Sequence, residues 1–315
     1  MHPKQLQFPI APEHGRRAKP FLKWAGGKGQ LLGQIGQRLP AGLWEGSLTK
    51  YAEPFIGGGA VFFQIANHFN VREFYISDMN EDLVLAYRTI KQQVELLVER
   101  LEEIRRNYLV LDMAGRKQFY YATREQFNCG RSLGQRAADE DETAHVARLI
   151  FLNRTCFNGL YRVNSRGEFN VPHGNYRNPG ICDAANLRSV SHSLQNTEVR
   201  FGDFTSCRNF VDENTFVYMD PPYRPISKTA NFNSFYKSPF DDNEQRRLAH
   251  FYQELGNAGA KLMLSNSDPH NENPQDSFFQ DLYAGFSIHK VSASRRINSN
   301  GAKRGPITEL LIANY

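Results

Sequence analysis

Cysteine is scarce in this chain. Only Cys129, Cys156, Cys182 and Cys207 occur, and no two stand at C-x-x-C spacing. That spacing would be needed for a zinc knuckle or a redox pair, so neither is expected and no metal is implied. Scattered thiols fit a reducing, cytoplasmic setting. Also missing is any run of roughly 18 apolar residues, the length a membrane-crossing helix requires. The opening MHPKQLQFPIAPEHGRRAKP has no apolar stretch of the signal-peptide kind and reads as a loose tail over residues 1–20. Neither sign of charge dominates: 38 Lys and Arg face 33 Asp and Glu, a net +5. Such mild basicity permits a polyanionic partner without requiring one. With 40% hydrophobic and 23% charged residues, the composition excludes a disordered chain.

What is present is a set of short, unusual stretches. In TFVYMDPPYRP, residues 215–225, a buried strand over Thr215 to Tyr218 ends on Asp220, Pro221, Pro222 and Tyr223. A proline pair ends a strand in many surface turns, and that is the plain alternative. The whole tetrapeptide would arise by chance in a chain of this size about once in a thousand.

In KYAEPFIGGGAVFFQIANHF, residues 50–69, a short strand runs into Gly57, Gly58 and Gly59. Val61, Phe62, Ile65, Ala66 and Phe69 follow at helical spacing. Strand, glycine turn and helix form the nucleotide-type corner of an α/β sheet, where missing Cβ atoms let a ligand approach the backbone. A second strand, Phe74 to Ser77, ends on Asp78, 21 residues past Gly57, the place of a ribose-binding acid. The G-x-G-x-x-G pattern fails because Phe62 stands at its last glycine. The corner therefore suits an unphosphorylated nucleoside better than a pyrophosphate. FLKWAGGKGQLL, residues 21–32, fails the P-loop pattern: Leu22 stands where glycine is needed and Gly29 where Ser or Thr is needed. Core packing is an equal alternative for Trp24.

Taken in order, FLKWAGGK, EPFIGGGAVFF, SDMNEDL and DPPY resemble the Dam-type (D12 class) N6-adenine DNA methyltransferases. The resemblance continues through FLNRTCFNGLYRVNSRGEFNVPHGNY and RRINSNGAKRG, covering most of the chain from residue 21. It implies S-adenosyl-L-methionine as methyl donor, a sulfonium with no phosphates. Carried over position by position, Trp24, Lys28, Gly57, Gly59 and Asp78 belong to the donor pocket. Asp203 and Phe204, in FGDF, lie beside the donor's adenine, and Asp220 borders both donor and target.

Adenine N6 is a poor nucleophile because its lone pair is delocalised into the ring. The expected remedy is that the Asp220 carboxylate accepts one N6–H and the Pro221 carbonyl the other, with Pro221 and Pro222 keeping that carbonyl still. Tyr223 then stacks on the base. No cysteine nucleophile is needed.

Between the α/β stretches, residues 81–107 read as one amphipathic helix through Leu83, Tyr87, Ile90, Val94, Leu97, Leu101 and Ile104. Further helix is expected near 115–127 and 141–153, with RSLGQRAADEDE as a loop, and the α/β pattern resumes near residue 198. Two alternating segments around SRG, in FNGLYRVNSRGEFNVPHGNY, suggest a β-hairpin. A hairpin can enter the DNA major groove, where the Arg162 guanidinium matches guanine's two acceptors. The plain alternative for such an arginine is a phosphate contact or a surface ion pair. Leu160 and Pro172 can pack on a thymine methyl. In the resembled family these positions, with Lys23 and Tyr176, go with GATC recognition. Phe157 replaces the family's common tyrosine as the inserted ring, and Asn158 sits beside the orphaned base. Near the end, Arg295, Arg296, Lys303 and Arg304 flank a glycine-containing loop suited to backbone phosphates, or simply to solvent.

The expected architecture is a Rossmann-like doubly wound α/β methyltransferase sheet with an inserted helical and β-hairpin target-recognition domain. Residues 1–82 and 183–315 make the catalytic, donor-binding domain and 83–182 the recognition domain. The stretches KLMLSN, FSIHKVSA and TELLIANY form an antiparallel sheet edge. The expected activity is site-specific methylation of a flipped adenine N6 in double-stranded DNA. The alternatives are another DNA sequence, RNA, or a DNA-binding module without catalysis. Catalysis by a monomer, a companion restriction endonuclease and a bacterial or phage source complete the expectations.

Overall fold

The computed structural model describes residues 17–129, 141–224, 240–294 and 306–315. Five strands, β1 (Lys50–Glu53), β2 (Glu73–Asp78), β3 (Thr197–Phe201), β4 (Thr215–Met219) and β5 (Lys261–Ser267), pair in parallel. β7 (Pro306–Ala313) runs antiparallel between β5 and β6 (Ser287–Ser294), giving the order β3-β2-β1-β4-β5-β7-β6. The three last stretches thus form the antiparallel edge expected of them. The strand order reverses between β1 and β4, the switch point at which open α/β sheets bind ligands.

Alternation along the strands divides the core. Tyr51, Ile76, Phe216 and Tyr218 join one buried cluster, and Ala52, Tyr75, Val217 and Met219 the other. Successive side chains of a strand point to opposite faces, so both faces of the sheet are covered.

Two short helices, α1 (Leu32–Gly36) and α2 (Ala41–Glu45), precede β1, and α3 (Ala60–His68) follows it. Between β2 and β3 come α4 (Glu81–Leu109), α5 (Met113–Cys129), α6 (Glu142–Thr155) and α7 (Ala184–Ser193). Then α8 (Asp242–Asn257) precedes β5 and α9 (Phe278–Leu282) precedes β6. Side chains cap several N-termini: Asn80 accepts from Leu83 N on α4, Asp141 from Thr143 N and Ala144 N on α6, and Asp241 from Asn243 N and Glu244 N on α8.

Three details differ from the sequence reading. The long helix α4 is broken at Gln93 (φ −138°, ψ 38°). Before the break, Arg88 donates to the Val199 carbonyl (3.1 Å) and Lys91 to that of Thr197 (2.9 Å), so this half lies along β3. At the break, Gln93 Oε1 accepts from the Thr143 hydroxyl of α6 at 2.7 Å. The helix turns where it leaves the sheet for the helical block. Second, a helix that the sequence reading did not name, α7, leads into β3, where the α/β pattern resumes near residue 198 as expected. Third, the expected hairpin is not a ladder. Its arms meet at two antiparallel bridges, Val163 with Phe169 and Cys156 with His173, and the turn is closed by Asn164, whose side-chain oxygen accepts from Arg166 N and Glu168 N.

Candidate active site

The acids singled out in the sequence stand at the C-terminal ends of neighbouring strands: Asp78 closes β2, Asp203 follows β3, and Asp220 follows β4. Glu53, which the sequence reading passed over, closes β1.

The glycine turn after β1 is shaped by two neighbours. Gly57 (φ +47°) lies against Trp24, and a Cβ there would come within 3.1 Å of the indole. Gly59 (φ +71°) opens α3, and a Cβ there would meet the Tyr87 hydroxyl at 2.6 Å. Positive φ and close contact both demand glycine. Asp78 ties the turn down by accepting from Gly57 N (3.1 Å) and Asn80 N (2.9 Å). Burial pushes its carboxyl up to about 6, although these backbone hydrogen bonds oppose the rise. Trp24 is also stacked on Tyr161, with ring centroids 5.1 Å apart.

The second half of the site surrounds Asp220. The Lys28 side chain is only 7% exposed, and its ammonium lies 2.8 Å from Asp220 Oδ2. It also donates to the Gly26 carbonyl at 2.8 Å and stands 4.6 Å from the Tyr223 ring centroid. Ser265 donates to Asp220 Oδ1 at 2.9 Å. Burial raises the Asp220 carboxyl above its ordinary value, and Lys28 holds it back. Glu53 is 3% exposed and accepts from the Tyr51 hydroxyl at 2.6 Å. Burial, with Asp220 adding to it, raises its carboxyl well above the usual range.

The two prolines are held unequally. Gln245 Nε2 donates to the Pro222 carbonyl at 3.1 Å, and Asn266 fixes Gln245 by donating to its Oε1 at 3.0 Å. Among the described residues nothing donates to the Pro221 carbonyl. Tyr223 donates to Glu309 Oε2 of β7 at 2.5 Å. Glu53, Gln245 and Glu309 were missed in the sequence. Glu53 had a signal, since it sits in the strand-to-glycine stretch; Gln245 and Glu309 lie in ordinary amphipathic and apolar runs.

Asp203 and Phe204 are more tightly engaged than expected. Asp203 accepts from Thr205 N (3.0 Å) and from both terminal nitrogens of Arg247 (3.0 and 2.6 Å). Burial alone would raise its carboxyl, but Arg247 and Thr205 bring it below the ordinary value. Phe204 is buried against Phe55 and lies under the Arg247 guanidinium, 4.1 Å away.

The residues expected to recognise DNA cluster on one loop system beside Trp24. Phe157 is 53% exposed and its N–H donates to the Pro172 carbonyl at 2.8 Å. Asn158 adopts φ +57°, and its N–H donates to the Tyr176 hydroxyl at 3.1 Å. The Lys23 ammonium is 5.4 Å from the Tyr176 ring. Arg162 is exposed and is held from one side by Asn170, whose Oδ1 accepts from Nε at 2.7 Å. Helix side chains brace the second arm: Tyr120 donates to the Val171 carbonyl (2.8 Å), Asn128 accepts from Phe169 N (2.8 Å), and Tyr108 is hydrogen-bonded to His173 (2.7 Å). Leu160 is partly buried and Pro172 exposed at the same loops. Arg295, Arg296, Lys303 and Arg304 lie outside the described residues.

Among the described residues no group of three or more His, Cys, Asp or Glu side chains is arranged to hold a metal ion, and the four thiols are free. No helix among them is long and apolar enough to cross a membrane.

Comparison with known proteins assigns the chain to a family. The family model for D12 class N6 adenine-specific DNA methyltransferases matches residues 24–297. Type II methyltransferase M.MjaIII of Methanocaldococcus jannaschii is 51% identical over 298 residues, covering 94% of this chain and 99% of that protein. Type II methyltransferase M1.LlaDCHI of Lactococcus lactis subsp. cremoris is 36% identical, over 94% of this chain and 95% of that protein. The DNA adenine methylase of Escherichia coli K12 is 31% identical over the same shares of the two chains. With a family match across most of its length and near full-length relatives, the chain belongs to the D12 class of N6 adenine-specific DNA methyltransferases.

Proposed function

We propose that this DNA adenine methyltransferase uses S-adenosyl-L-methionine, everts its target adenine from duplex DNA, and acts at GATC. The observation that carries the reading is the unequal treatment of the two prolines. The Pro222 carbonyl is clamped by Gln245, whereas among the described residues none donates to that of Pro221, next to the Asp220 carboxylate.

The donor pocket fits a nucleoside that carries positive charge and no phosphate. Gly57, whose positive φ and contact with Trp24 leave no room for a side chain, keeps the turn bare, and Asp78 beside it is a buried acceptor for ribose hydroxyls. The donor supplies an electrophilic methyl carbon. Asp203, paired with Arg247, would lie at the adenine end.

At the target, Asp220 accepts one N6–H and the Pro221 carbonyl the other. Two acceptors draw N6 towards tetrahedral geometry and aim its lone pair. A carboxylate raised by burial is also a better proton acceptor than an ordinary one. Tyr223 stacks on the base while Lys28 keeps the carboxylate in place. A hydrogen bond to a charged group is worth about 1.5–3 kcal/mol, and base stacking on an aromatic about 1–3 kcal/mol. Together these offset the few kcal/mol of unpairing.

Residues 83–182 act as the recognition domain. Arg162 reads guanine, Leu160 and Pro172 meet a thymine methyl, Lys23 and Tyr176 serve the same tetranucleotide, Phe157 fills the space left by the everted base, and Asn158 faces its orphaned partner. Arg295, Arg296, Lys303 and Arg304 take backbone phosphates.

The test is expression in a host free of adenine methylation, followed by sequencing of its DNA for N6-methyladenine. Modification confined to GATC is expected, and modified adenines in other contexts would overturn the assignment. Asp220→Ala should retain the fold and abolish methyl transfer; a variant that turns over near the normal rate rules out the mechanism.

A further inference from the structure

Residues 17–24, ahead of the single 3-10 turn at Lys28–Gln30, have no regular structure, yet their backbone is not left bare. Three asparagines stand in for a partner strand, each accepting from a main-chain N–H and donating to the same residue's carbonyl. Asn67 of α3 holds Ala18 (3.2 and 2.8 Å), Asn186 of α7 holds Lys19 (3.0 and 2.9 Å), and Asn153 of α6 holds Lys23 (2.8 and 2.9 Å). A carboxamide can do both because it carries an acceptor and two donors.

Asn153 has one more contact. Its Nδ2 also donates to the Gly159 carbonyl at 3.1 Å. Gly159 (φ +64°) closes the turn that carries Phe157 and Asn158, and a Cβ on it would fall 2.1 Å from Lys23 Cδ. The Lys23 ammonium lies beside the Tyr176 ring, and the Tyr176 hydroxyl accepts from Asn158 N. One amide, 1% exposed, thus joins the backbone of Lys23 to the Phe157–Gly159 turn.

We infer that Asn153 is a positioning residue for target recognition, setting Lys23 against the Phe157–Gly159 turn so that base discrimination depends on it. The inference rests on the reading of Lys23 and that turn as DNA contacts. Trp24 is seated separately by Tyr161 and the glycine turn, so donor binding is not tied to the amide. Asn67, Asn186 and Arg154, which donates to the Phe21 carbonyl at 2.7 Å, hold the segment independently. Asn153→Ala therefore leaves it attached.

The experiment compares kcat/KM on a GATC duplex and on duplexes changed at one base pair, for wild type, Asn153→Ala, Lys23→Ala and the double variant. Misplacement of a recognition group is expected to reduce discrimination by about tenfold or more in Asn153→Ala, with donor KM unchanged. In the Lys23→Ala background the same change should add nothing. A uniform fall on all duplexes, or a full additional effect without Lys23, would overturn the inference. If Lys23→Ala relaxes discrimination and Asn153→Ala does not, the inference alone falls. If neither does, the DNA reading of Lys23 falls and takes it along. Should Asn153→Ala fail to accumulate, Gly159→Ala displaces the Lys23 stem from the other side and is expected to reduce discrimination in the same way.

Discussion

The Lys28 ammonium and the Asp220 carboxylate face each other at 2.8 Å, both largely withdrawn from water. Burial raises the acid and Lys28 lowers it. On the proposed mechanism methyl transfer needs the carboxylate, and the rate should fall as pH drops through its raised value. Lys28→Met removes the opposing charge and should move the acidic limb of the rate profile to higher pH. Single-turnover rates at saturating donor and duplex, from roughly pH 5 to 9, would show it. A limb that stays in place would mean that another group controls the step.

Asp78 links the proposed donor pocket to stability. Its folded value of about 6 lies above the ordinary 3.8, so its contribution to stability is fully present below that ordinary value and is lost as pH rises through about 6. Asp78→Asn should therefore raise the thermal stability of the donor-free protein at neutral pH. The ceiling is about 3 kcal/mol, less the backbone hydrogen bond that an amide cannot accept. Near pH 4 the gain should vanish, since wild type is then neutral there too. Equilibrium binding should show the opposite effect: the variant loses about tenfold or more in donor affinity, the worth of a hydrogen bond to a charged acceptor. A variant no more stable at neutral pH than at acid pH would contradict the buried-charge account.

Tyr223 is oriented from behind by Glu309 across the sheet edge. The phenol is held well above its ordinary value, mainly by burial, so it stays protonated and keeps donating. Glu309→Gln preserves an acceptor and should behave much like wild type. Glu309→Ala frees the ring and should cost part of the stacking energy, about 1 kcal/mol or several-fold in kcat/KM for the duplex. Tyr223→Phe should lose as much, and the double variant no more than either alone. Additive losses in this cycle would separate the two residues.

The legible parts of the molecule were those where one residue type has few substitutes. Gly57, Gly59 and Asp78 announced a ligand corner because positive φ and a strand-end acid are rare together, and the structure brings them to one turn. DPPY announced itself through rigidity. The strands of the sheet edge were visible as apolar runs. The bracing was not: Gln245, Glu309 and Asn153 each act through contacts that span 21 or more residues, and their local patterns are those of ordinary helices and strands. The hairpin around SRG is present but short. Its alternation accompanies burial of Tyr161, Phe169 and Val171, with Tyr120 of α5 donating to the Val171 carbonyl, and its arms meet at two antiparallel bridges. The break at Gln93 was hidden because the apolar period continues across it while the packing partner changes from sheet to helix.

Arg162 offers the sharpest test of sequence reading. Its Nε is engaged by Asn170 Oδ1 and one terminal nitrogen reaches the Asn170 carbonyl at 3.4 Å, so the guanidinium is aimed from its base while its exposed edge faces outward. A guanidinium presented in this way can bond both guanine acceptors in the major groove, a contact worth about 1–3 kcal/mol of discrimination. Arg162→Ala should leave thermal stability almost unchanged, because the side chain is exposed, and should relax selectivity at one base pair by roughly tenfold to a hundredfold. Asn170→Ala should relax the same position more weakly, since it removes the aim and not the reader. A phosphate contact would behave otherwise: binding to every duplex would weaken alike and the salt dependence would flatten by about one ion. Competition between duplexes that differ at a single position, repeated at two salt concentrations, separates the two roles.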